Sequence, residues 1–333
     1  MFFDYSNSNI GYIGRWAKYE NTMTATAPGS RFVISFKGKE ALLYFDTEFN
    51  QSPMPHLWIS IDSGARTEVT LDRFIRLYAP EDGEHTVTVI LKSMVEMFPR
   101  WKMPLANKIS FMGLDAEELL PAPKSGKKTI EFVGDSITEG VLTDPYCAPW
   151  PIDETKISWT YDERNRPWQD DTTATYAWKT AEALGLEPIM MGYGAVGTGR
   201  SGCGGVAAAP EAYPYCFEGA PISFAHPDYV FINHGTNDRP DSSEVFKKNY
   251  TALIEAIYTA HPATQIICMI PFIGAHAEDI EEIVKLYNSE KGKNIILIDG
   301  SKWLPPNPLH PDRAGHALAA EKLAPILKEK LGL

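Results

Sequence analysis

Cysteine is scarce in this 333-residue sequence, which contains only Cys147, Cys203, Cys216 and Cys268. No two of them are separated by two residues, the spacing that structural zinc sites usually have. No group of His, Asp and Glu at ligand spacing replaces them, so we expect neither a metal nor an organic cofactor. Free thiols are the expected state, and a disulfide between Cys203 and Cys216 is the alternative left open.

Positive charge is also limited, because 31 Lys and Arg residues stand against 43 Asp and Glu residues, a formal net charge of −12. A protein with this balance repels nucleic acid phosphates and anionic lipid surfaces. No local cluster of Lys and Arg reverses the balance. We therefore expect a small-molecule partner, and neither a nucleic acid nor a membrane partner.

Long hydrophobic runs are absent as well, since no segment approaches the ~20 apolar residues that a membrane-spanning helix requires. The sequence begins MFFDYS and lacks the basic and apolar segments of a secretory signal peptide. Both features predict a cytoplasmic protein. Hydrophobic residues make up 44% of the chain and charged residues 22%, which is typical of a globular protein long enough for two domains.

The first part of the chain carries short strand patterns and no helical periodicity. Phe32, Ile34 and Phe36 alternate with more polar residues, and turn pairs such as Asp82-Gly83 separate the runs. Further strand patterns cover residues 41–45, 57–61, 67–71 and 85–92. Short strands at this spacing predict an all-β sandwich or jelly roll over residues 1–120. The Pro- and Gly-containing segment 121–128 is the predicted linker.

The pattern then changes to strands that alternate with helices. Apolar strand patterns cover residues 129–133, 188–191, 229–233, 266–270 and 295–298, and helical patterns cover residues 174–184, 245–260, 276–288 and 313–331. This alternation predicts a parallel sheet with helices on both faces over residues 129–333. Ligand sites in such folds lie at the carboxyl ends of the strands.

Polar or glycine-rich segments follow the first three of these strands. The first is GDSITEG at 134–140, and Ser136 there stands where a hydroxyl and a backbone amide are exposed between strand and helix. The second is GYGAVGTG at 192–199, where glycines permit close approach to a ligand. The third is NHGTND at 233–238, which offers the Asn237 amide. Each segment alone is equally compatible with an ordinary turn or loop.

A fourth segment, NPLHPDRAGH at 307–316, places His310 between two prolines just before a helix. A general base needs a fixed, accessible position of this kind, and imidazole titrates in the useful range. His316 falls inside the predicted helix, where a packing or a surface role is expected. His310 is therefore the candidate base.

In this order, the four segments resemble the four blocks of the SGNH (GDSL-type) hydrolase superfamily, from about residue 130 to 333. The resemblance implies a flavodoxin-like α/β/α sandwich and an ester hydrolase with Ser136 as nucleophile and His310 as base. It also implies an oxyanion hole built from the amides of Ser136 and Gly197 and the side chain of Asn237. No cofactor is implied.

The β-sandwich in front of such a domain resembles the arrangement of carbohydrate esterase family 2, whose members remove acetyl groups from plant cell-wall sugars. This second resemblance implies a carbohydrate O-acetylesterase that acts on acetylated oligosaccharides. Two other functions stay open at this point. One is an esterase, thioesterase or lysophospholipase for lipid-like acyl groups, and the other is a carbohydrate-binding protein with a disabled site.

The sequence departs from the superfamily at Asn307, three residues before His310, where an Asp is usual. An aspartate would hold the required tautomer of the histidine and stabilise its charged form, whereas Asn carries no charge. The departure predicts a Ser-His dyad whose ring is held by Asn307 or by a backbone carbonyl. Asp299 is the alternative partner left open.

Aromatic residues near the four segments are candidates for stacking on sugar rings. Trp150 and Trp159 lie in 141–173, a long connection that forms either a sugar-binding rim or a contact with the β-sandwich or with a second copy in a homo-oligomer. Trp303, seven residues before His310, is either a rim residue or part of the core.

Overall fold

The first part of the chain forms a sandwich of two antiparallel sheets, in a computed structural model that describes residues 1–151, 164–223 and 226–333. Its strands are β1 (Phe2–Asp4), β2 (Gly11–Ile13), β3 (Ala17–Tyr19), β4 (Thr22–Ala25), β5 (Arg31–Lys37), β6 (Glu40–Phe45), β7 (His56–Ile61), β8 (Thr67–Thr70), β9 (Phe74–Tyr78), β10 (Glu84–Ser93), β11 (Ile109–Asp115) and β12 (Glu118–Leu120). One sheet has the order β3-β4-β11-β6-β9, with β1 beside β11. The other has the order β12-β5-β10-β7-β8, with β2 beside β5.

The alternating residues of β5 explain why this part folds as a sandwich. Phe32, Ile34 and Phe36 are fully buried between the two sheets. Phe32 stacks on Phe111 of the opposite sheet, with ring centroids 4.3 Å apart. A strand with one apolar face buries that face best against a second sheet, so the period-two pattern selects this architecture.

The second part of the chain forms a five-stranded parallel sheet in the order β14-β13-β17-β18-β19, with helices around it. Its strands are β13 (Thr129–Gly134), β14 (Glu187–Gly192), β17 (Tyr229–Asn233), β18 (Gln265–Ile270) and β19 (Ile296–Asp299), and a separate hairpin contains β15 (Tyr215–Phe217) and β16 (Ala220–Pro221). The helices are α1 (Ser136–Glu139), α2 (Arg166–Gln169), α3 (Tyr176–Ala183), α4 (Ala209–Ala212), α5 (Ser243–Ala260), α6 (Ala277–Glu290) and α7 (Arg313–Leu331).

The residues of β17 show why the sheet is parallel and covered on both faces. All five are buried, so side chains that point to either face meet apolar partners. On one face, α5 buries Phe246, Tyr250, Leu253 and Ile257 at the spacing of four, three and four residues that a helix requires. The predicted fold class, an all-β sandwich followed by an α/β/α unit, is confirmed.

The expected free thiols are confirmed and the disulfide alternative is wrong, because all four cysteines are free. The Sγ of buried Cys216 donates to the Arg15 carbonyl at 3.3 Å.

The two units share more packing than a simple linker would suggest, since Trp101 and Leu105 pack into the same core as Val133 of β13. Residues 121–128 form neither helix nor strand. We propose this segment as the boundary between domains 1–120 and 129–333.

Among the described residues, no helix is both long enough and apolar enough to cross a membrane. His316 on α7 is fully buried, and its Nδ1 accepts a hydrogen bond from the Tyr176 amide at 3.1 Å. Of the two roles expected for His316, packing or a surface position, the structure shows packing.

A buried ion pair joins the two units away from the carboxyl ends of the strands. Arg15 of the sandwich and Glu131 of β13 lie 2.5 Å apart, and both side chains are fully buried. The Glu131 carboxylate also accepts from the Tyr213 hydroxyl at 2.7 Å. Removing one member of such a pair leaves a charge without its partner in a medium that does not solvate it.

We expect Arg15→Met to lower the free energy of unfolding by about 3–5 kcal/mol, because Glu131 then stays buried and unpaired. The double variant Arg15→Met/Glu131→Met should recover most of this loss, because it leaves no unpaired charge. Urea unfolding at pH 7 measures both. Arg76→Met is the control, since Arg76 and Glu40 form an exposed pair worth roughly 0–1 kcal/mol. Equal losses for Arg15→Met and Arg76→Met would contradict this account.

Candidate active site

The register of the parallel sheet brings three of the motif segments together. Gly134 at the end of β13 pairs with Gly192 of β14 and with Asn233 of β17. The chain therefore leaves three adjacent strands at the same level. The segments 134–140, 192–199 and 233–238 start side by side at the carboxyl end of the sheet, where the sequence predicts the site.

Ser136 stands at the first position of the short helix α1. The Asp135 side chain caps this helix, with its Oδ1 accepting from the Ile137 amide at 2.9 Å. Burial, with a contribution from the Asp238 carboxylate, raises the pKa of Asp135 to about 7.

The helix ends at Gly140, which has φ 94°, and a Cβ there would lie 2.5 Å from the Asp171 carbonyl oxygen. Only glycine therefore fits at the turn that ends the helix carrying Ser136.

His310 meets Ser136 from the other side of the site. Its Nε2 lies 2.8 Å from the Ser136 Oγ, which is hydrogen-bonding distance. The loop that carries His310 runs into α7, whose cap is Asp312, with Oδ1 accepting from the Gly315 amide at 2.8 Å. The next residue, Arg313, donates its amide to the Thr143 carbonyl at 2.8 Å. The loop is thus tied to the segment that follows α1, which keeps serine and histidine together.

Burial sets the protonation state of His310. Burial is the larger cause and the nearby Arg166 guanidinium the smaller one, and together they lower the pKa of this imidazole to about 4. At pH 7 the ring is therefore neutral. A neutral imidazole with its proton on Nδ1 can accept the serine proton at Nε2.

The three expected oxyanion donors differ in their present hydrogen bonds. As the first residue of α1, Ser136 has an amide without an intrahelical partner. Asn237 donates one Nδ2 hydrogen to the Val196 carbonyl at 3.0 Å, which fixes the amide plane and leaves its second hydrogen. The Gly197 amide donates to the Arg200 carbonyl at 3.1 Å, so it is engaged in this arrangement. A role for Gly197 in the oxyanion hole requires that this bond be exchanged for one to the substrate.

Asn307 does not hold the His310 ring, which corrects the expectation from the sequence. Asn307 is exposed, and no hydrogen bond joins it to His310. Asp299 is no substitute, because its Oδ1 caps the following turn by accepting from the Ser301 amide at 2.8 Å. Within the described part of the chain, no carbonyl or side chain is hydrogen bonded to the Nδ1 of His310. The hydrogen bond that the ring makes among the described residues is the one from Nε2 to the Ser136 Oγ.

The aromatic candidates for sugar stacking lie in different surroundings. Trp303 is half-buried and packs near Phe272, with ring centroids 6.3 Å apart. Trp150 is 52% exposed, and its amide donates to the Asn165 side chain at 3.2 Å. Trp159 lies outside the described residues. The role of all three in substrate binding therefore stays a prediction.

An apolar cavity of about 190 Å³ lies beside the loop that carries His310. Its walls include Ile137, which follows Ser136, and Leu309 and Pro311, which flank His310; Phe272 and Leu304 close it from the side of β18 and β19. Cavities lined in this way take apolar groups, and about 150 Å³ is enough for a benzene ring. The site therefore offers an apolar volume next to the candidate nucleophile and base.

Sequence reasoning missed a group of buried charges below the site. Glu139 is the last residue of α1, and it pairs with Arg100 of the sandwich. Glu96 of the sandwich pairs with Arg166 at 2.6 Å. Glu139 belongs to the motif GDSITEG, but nothing in the sequence links it to a residue 39 positions earlier.

Several known proteins resemble this chain. The model of the GDSL-like lipase/acylhydrolase family matches residues 132–318. The cellulase/esterase CelE of Acetivibrio thermocellus is 28% identical over 368 aligned positions, which cover 99% of this chain and 40% of that protein. This chain therefore spans less than half of the length of that curated relative.

Two solved structures share the whole architecture. A family two carbohydrate esterase from Cellvibrio japonicus has a TM-score of 0.79 and 21% identity, with 99% of this chain and 97% of the other covered. An acetyl xylan esterase from the rumen bacterium Butyrivibrio proteoclasticus has a TM-score of 0.73 and 20% identity, with 100% and 99% covered. At these identities the likeness shows a shared two-part fold. The family match runs from the strand before Ser136 to the helix after His310 and includes more than half of the sequence, so the chain belongs to the GDSL-like lipase/acylhydrolase family.

Proposed function

We propose that the protein is a serine ester hydrolase that removes acetyl groups from oligosaccharides, with Ser136 as nucleophile and His310 as general base. The observation that carries the proposal is the 2.8 Å distance between the Ser136 Oγ and the His310 Nε2. The structural relatives support the substrate class, since they include a carbohydrate esterase and an acetyl xylan esterase. The shared order of sandwich and α/β unit supports it as well.

The mechanism follows from the positions of these two side chains. His310 Nε2 takes the proton of the Ser136 hydroxyl as its oxygen attacks the acetyl carbonyl, and the carbonyl oxygen becomes an oxyanion. Collapse of this intermediate breaks the ester bond, and His310 gives its proton to the leaving sugar oxygen. Water then attacks the acetyl-serine with His310 again as base, which releases acetate and restores the hydroxyl.

The oxyanion is stabilised by the Ser136 amide and the free Nδ2 hydrogen of Asn237. The Gly197 amide becomes the third donor when it leaves the Arg200 carbonyl. Donors that are already oriented need little reorganisation in the transition state, and loss of one typically lowers turnover roughly 10²–10³-fold. Among the described residues, no carboxylate is hydrogen bonded to His310 Nδ1, so the charged imidazolium has less support than a triad gives it.

Ser136→Ala should abolish release of acetate from 4-nitrophenyl acetate and from acetylated xylo- and manno-oligosaccharides, because no other atom can form the acyl-enzyme. A fall of about 10⁴–10⁶-fold in kcat is expected, as in other enzymes whose nucleophile is removed. Ser289→Ala, on the exposed face of α6, is the matched control and should keep full activity. Equal rates for Ser136→Ala and the wild type would instead favour a carbohydrate-binding protein with a disabled site.

The pH dependence should reflect the half-buried imidazole of His310. Because burial lowers the pKa of His310 to about 4, the neutral form needed for catalysis persists on acidification. We expect kcat/KM to stay level from pH 8 to about pH 6 and to fall only as the pH approaches the pKa of the free enzyme. Acetate release measured at each pH tests this. An acid limb with an apparent pKa at or above 6.5 would contradict a lowered pKa of His310.

A second candidate, an esterase for longer acyl chains, is favoured by the apolar cavity beside His310. The acetylesterase proposal predicts higher kcat/KM for 4-nitrophenyl acetate than for the octanoate. If long acyl chains occupy the cavity, Leu304→Trp should lower octanoate hydrolysis selectively, because the indole ring of tryptophan fills the cavity. A preference for octanoate that Leu304→Trp removes would replace the first candidate by the second.

A further inference from the structure

The Glu139 carboxylate connects three parts of the molecule at one point. It closes helix α1, three residues after Ser136. Its Oε1 accepts from Arg100 Nη1, and its Oε2 accepts from Arg100 Nη2 at 2.9 Å and from the Gly194 amide at 2.6 Å. One side chain therefore links the nucleophile helix, the loop that leads to Gly197, and the β-sandwich.

This contact lies in the interior. The Arg100 side chain is fully buried, and that of Glu139 is 3% exposed. Although burial alone disfavours a charged guanidinium, the Glu139 carboxylate raises the pKa of Arg100 above its usual value. A two-point contact between a planar guanidinium and a carboxylate fixes direction as well as distance. The pair can therefore hold α1 in one orientation.

Arg100 is itself held against the same loop. Its amide donates to the Gly204 carbonyl at 3.0 Å, and its guanidinium carbon lies 5.1 Å from the centroid of the Tyr193 ring. A Cβ on Gly204 would lie 2.5 Å from the Phe98 carbonyl oxygen, so glycine is needed for this close approach. The sandwich loop 96–100 thus packs directly on both ends of the segment 193–204.

Glu96 extends the contact toward the base. A side chain at Gly194 would overlap the Glu96 carboxylate, which accepts from Arg166 Nη2 at 2.6 Å. Arg166 is the cation that helps to lower the pKa of His310. The sandwich therefore reaches the surroundings of all three functional elements, namely the serine helix, the glycine loop and the histidine.

We propose that Arg100, acting through Glu139, is a positioning residue that sets the separation between α1 and the loop carrying Gly197. The sandwich then forms part of the catalytic scaffold. This inference rests on the proposed function, because it concerns the geometry of Ser136 and of its oxyanion donors. It predicts an effect on turnover that stability alone does not explain.

The molecule contains a matched pair for comparison. Arg15 and Glu131 are also fully buried and also join the sandwich to the α/β unit. Their partners are carbonyls and a hydroxyl at Tyr213 and Tyr215, none of which belongs to the site. Replacing either pair by methionines removes two buried charges together, which avoids leaving one of them unpaired.

The test compares Arg100→Met/Glu139→Met with Arg15→Met/Glu131→Met on 4-nitrophenyl acetate, each well below its own unfolding midpoint. A misplacement of about 1 Å costs up to about 10²-fold in rate, so the first variant should lose roughly 10–100-fold in kcat. Its KM should stay within about threefold of the wild-type value, because the altered positions affect stabilisation of the transition state and not binding of the substrate. The second variant should keep both constants within about twofold.

Two further measurements separate positioning from folding. Arg100→Lys keeps the charge and one contact to Glu139, so its kcat should lie between those of the wild type and the double variant. Exchange of the Gly194 amide with solvent should be at least about tenfold faster in Arg100→Met/Glu139→Met, because this amide loses its acceptor.

The inference is overturned if Arg100→Met/Glu139→Met keeps its kcat, or if the Arg15 and Glu131 variant loses as much. The experiments distinguish failure of this inference from failure of the proposed function. If the wild type hydrolyses none of the esters, the function is wrong, and the exchange rate at Gly194 still tests whether Arg100 and Glu139 fix the loop. Unchanged exchange would then remove the positioning role too.

Discussion

The register of three neighbouring parallel strands is the constraint on which the site depends. Gly134 is paired with Gly192 on one side and with Asn233 on the other, so segments far apart in the sequence leave the sheet side by side. Hydrogen bonding between strands fixes this alignment, and a shift by one residue would send every following side chain to the other face. Ser136, Gly197 and Asn237 all derive their positions from this edge.

Around that edge, polar contacts hold the chain in place. Buried Asp135 caps the serine helix, and exposed Asp312 caps the helix after His310. Glu139 joins the serine helix to the glycine loop and to the sandwich. Such contacts persist only where the geometry satisfies each charge, because an unpaired charge in the interior is strongly destabilising. The interface between the two units is thus more specific than apolar packing alone would make it.

Periodicity predicts the regular elements where one pattern dominates. Strand β17 and helix α7 lie at the predicted residues 229–233 and 313–331, because continuous apolar burial and helical spacing are clear there. Strand β11 was not predicted, since Met112 and Gly113 interrupt its alternation and its pairing with β6 shifts between Phe111 and Gly113. Strands of three or four residues such as β1 are too short for a pattern to be visible.

In the candidate site, too, local motifs were predictable from the sequence and long-range contacts were not. Local motifs predict that Ser136 and His310 meet, and they do. The expectation that Asn307 holds the ring is wrong, because sequence spacing does not determine which way a side chain in a proline-rich loop points. The link from Arg100 to Glu139 could not be predicted, because it depends on how the sandwich packs on the sheet. Long-range contacts of this kind carry no local pattern.

The most direct test of the central claim is covalent trapping of the nucleophile with a fluorophosphonate, followed by mass spectrometry of the digested protein. The account predicts one label per chain, on the peptide that contains Ser136, and slower labelling in His310→Ala because the hydroxyl loses its base. A label on a different serine, or no label in a protein that hydrolyses esters, would contradict the proposal that Ser136 and His310 perform the reaction.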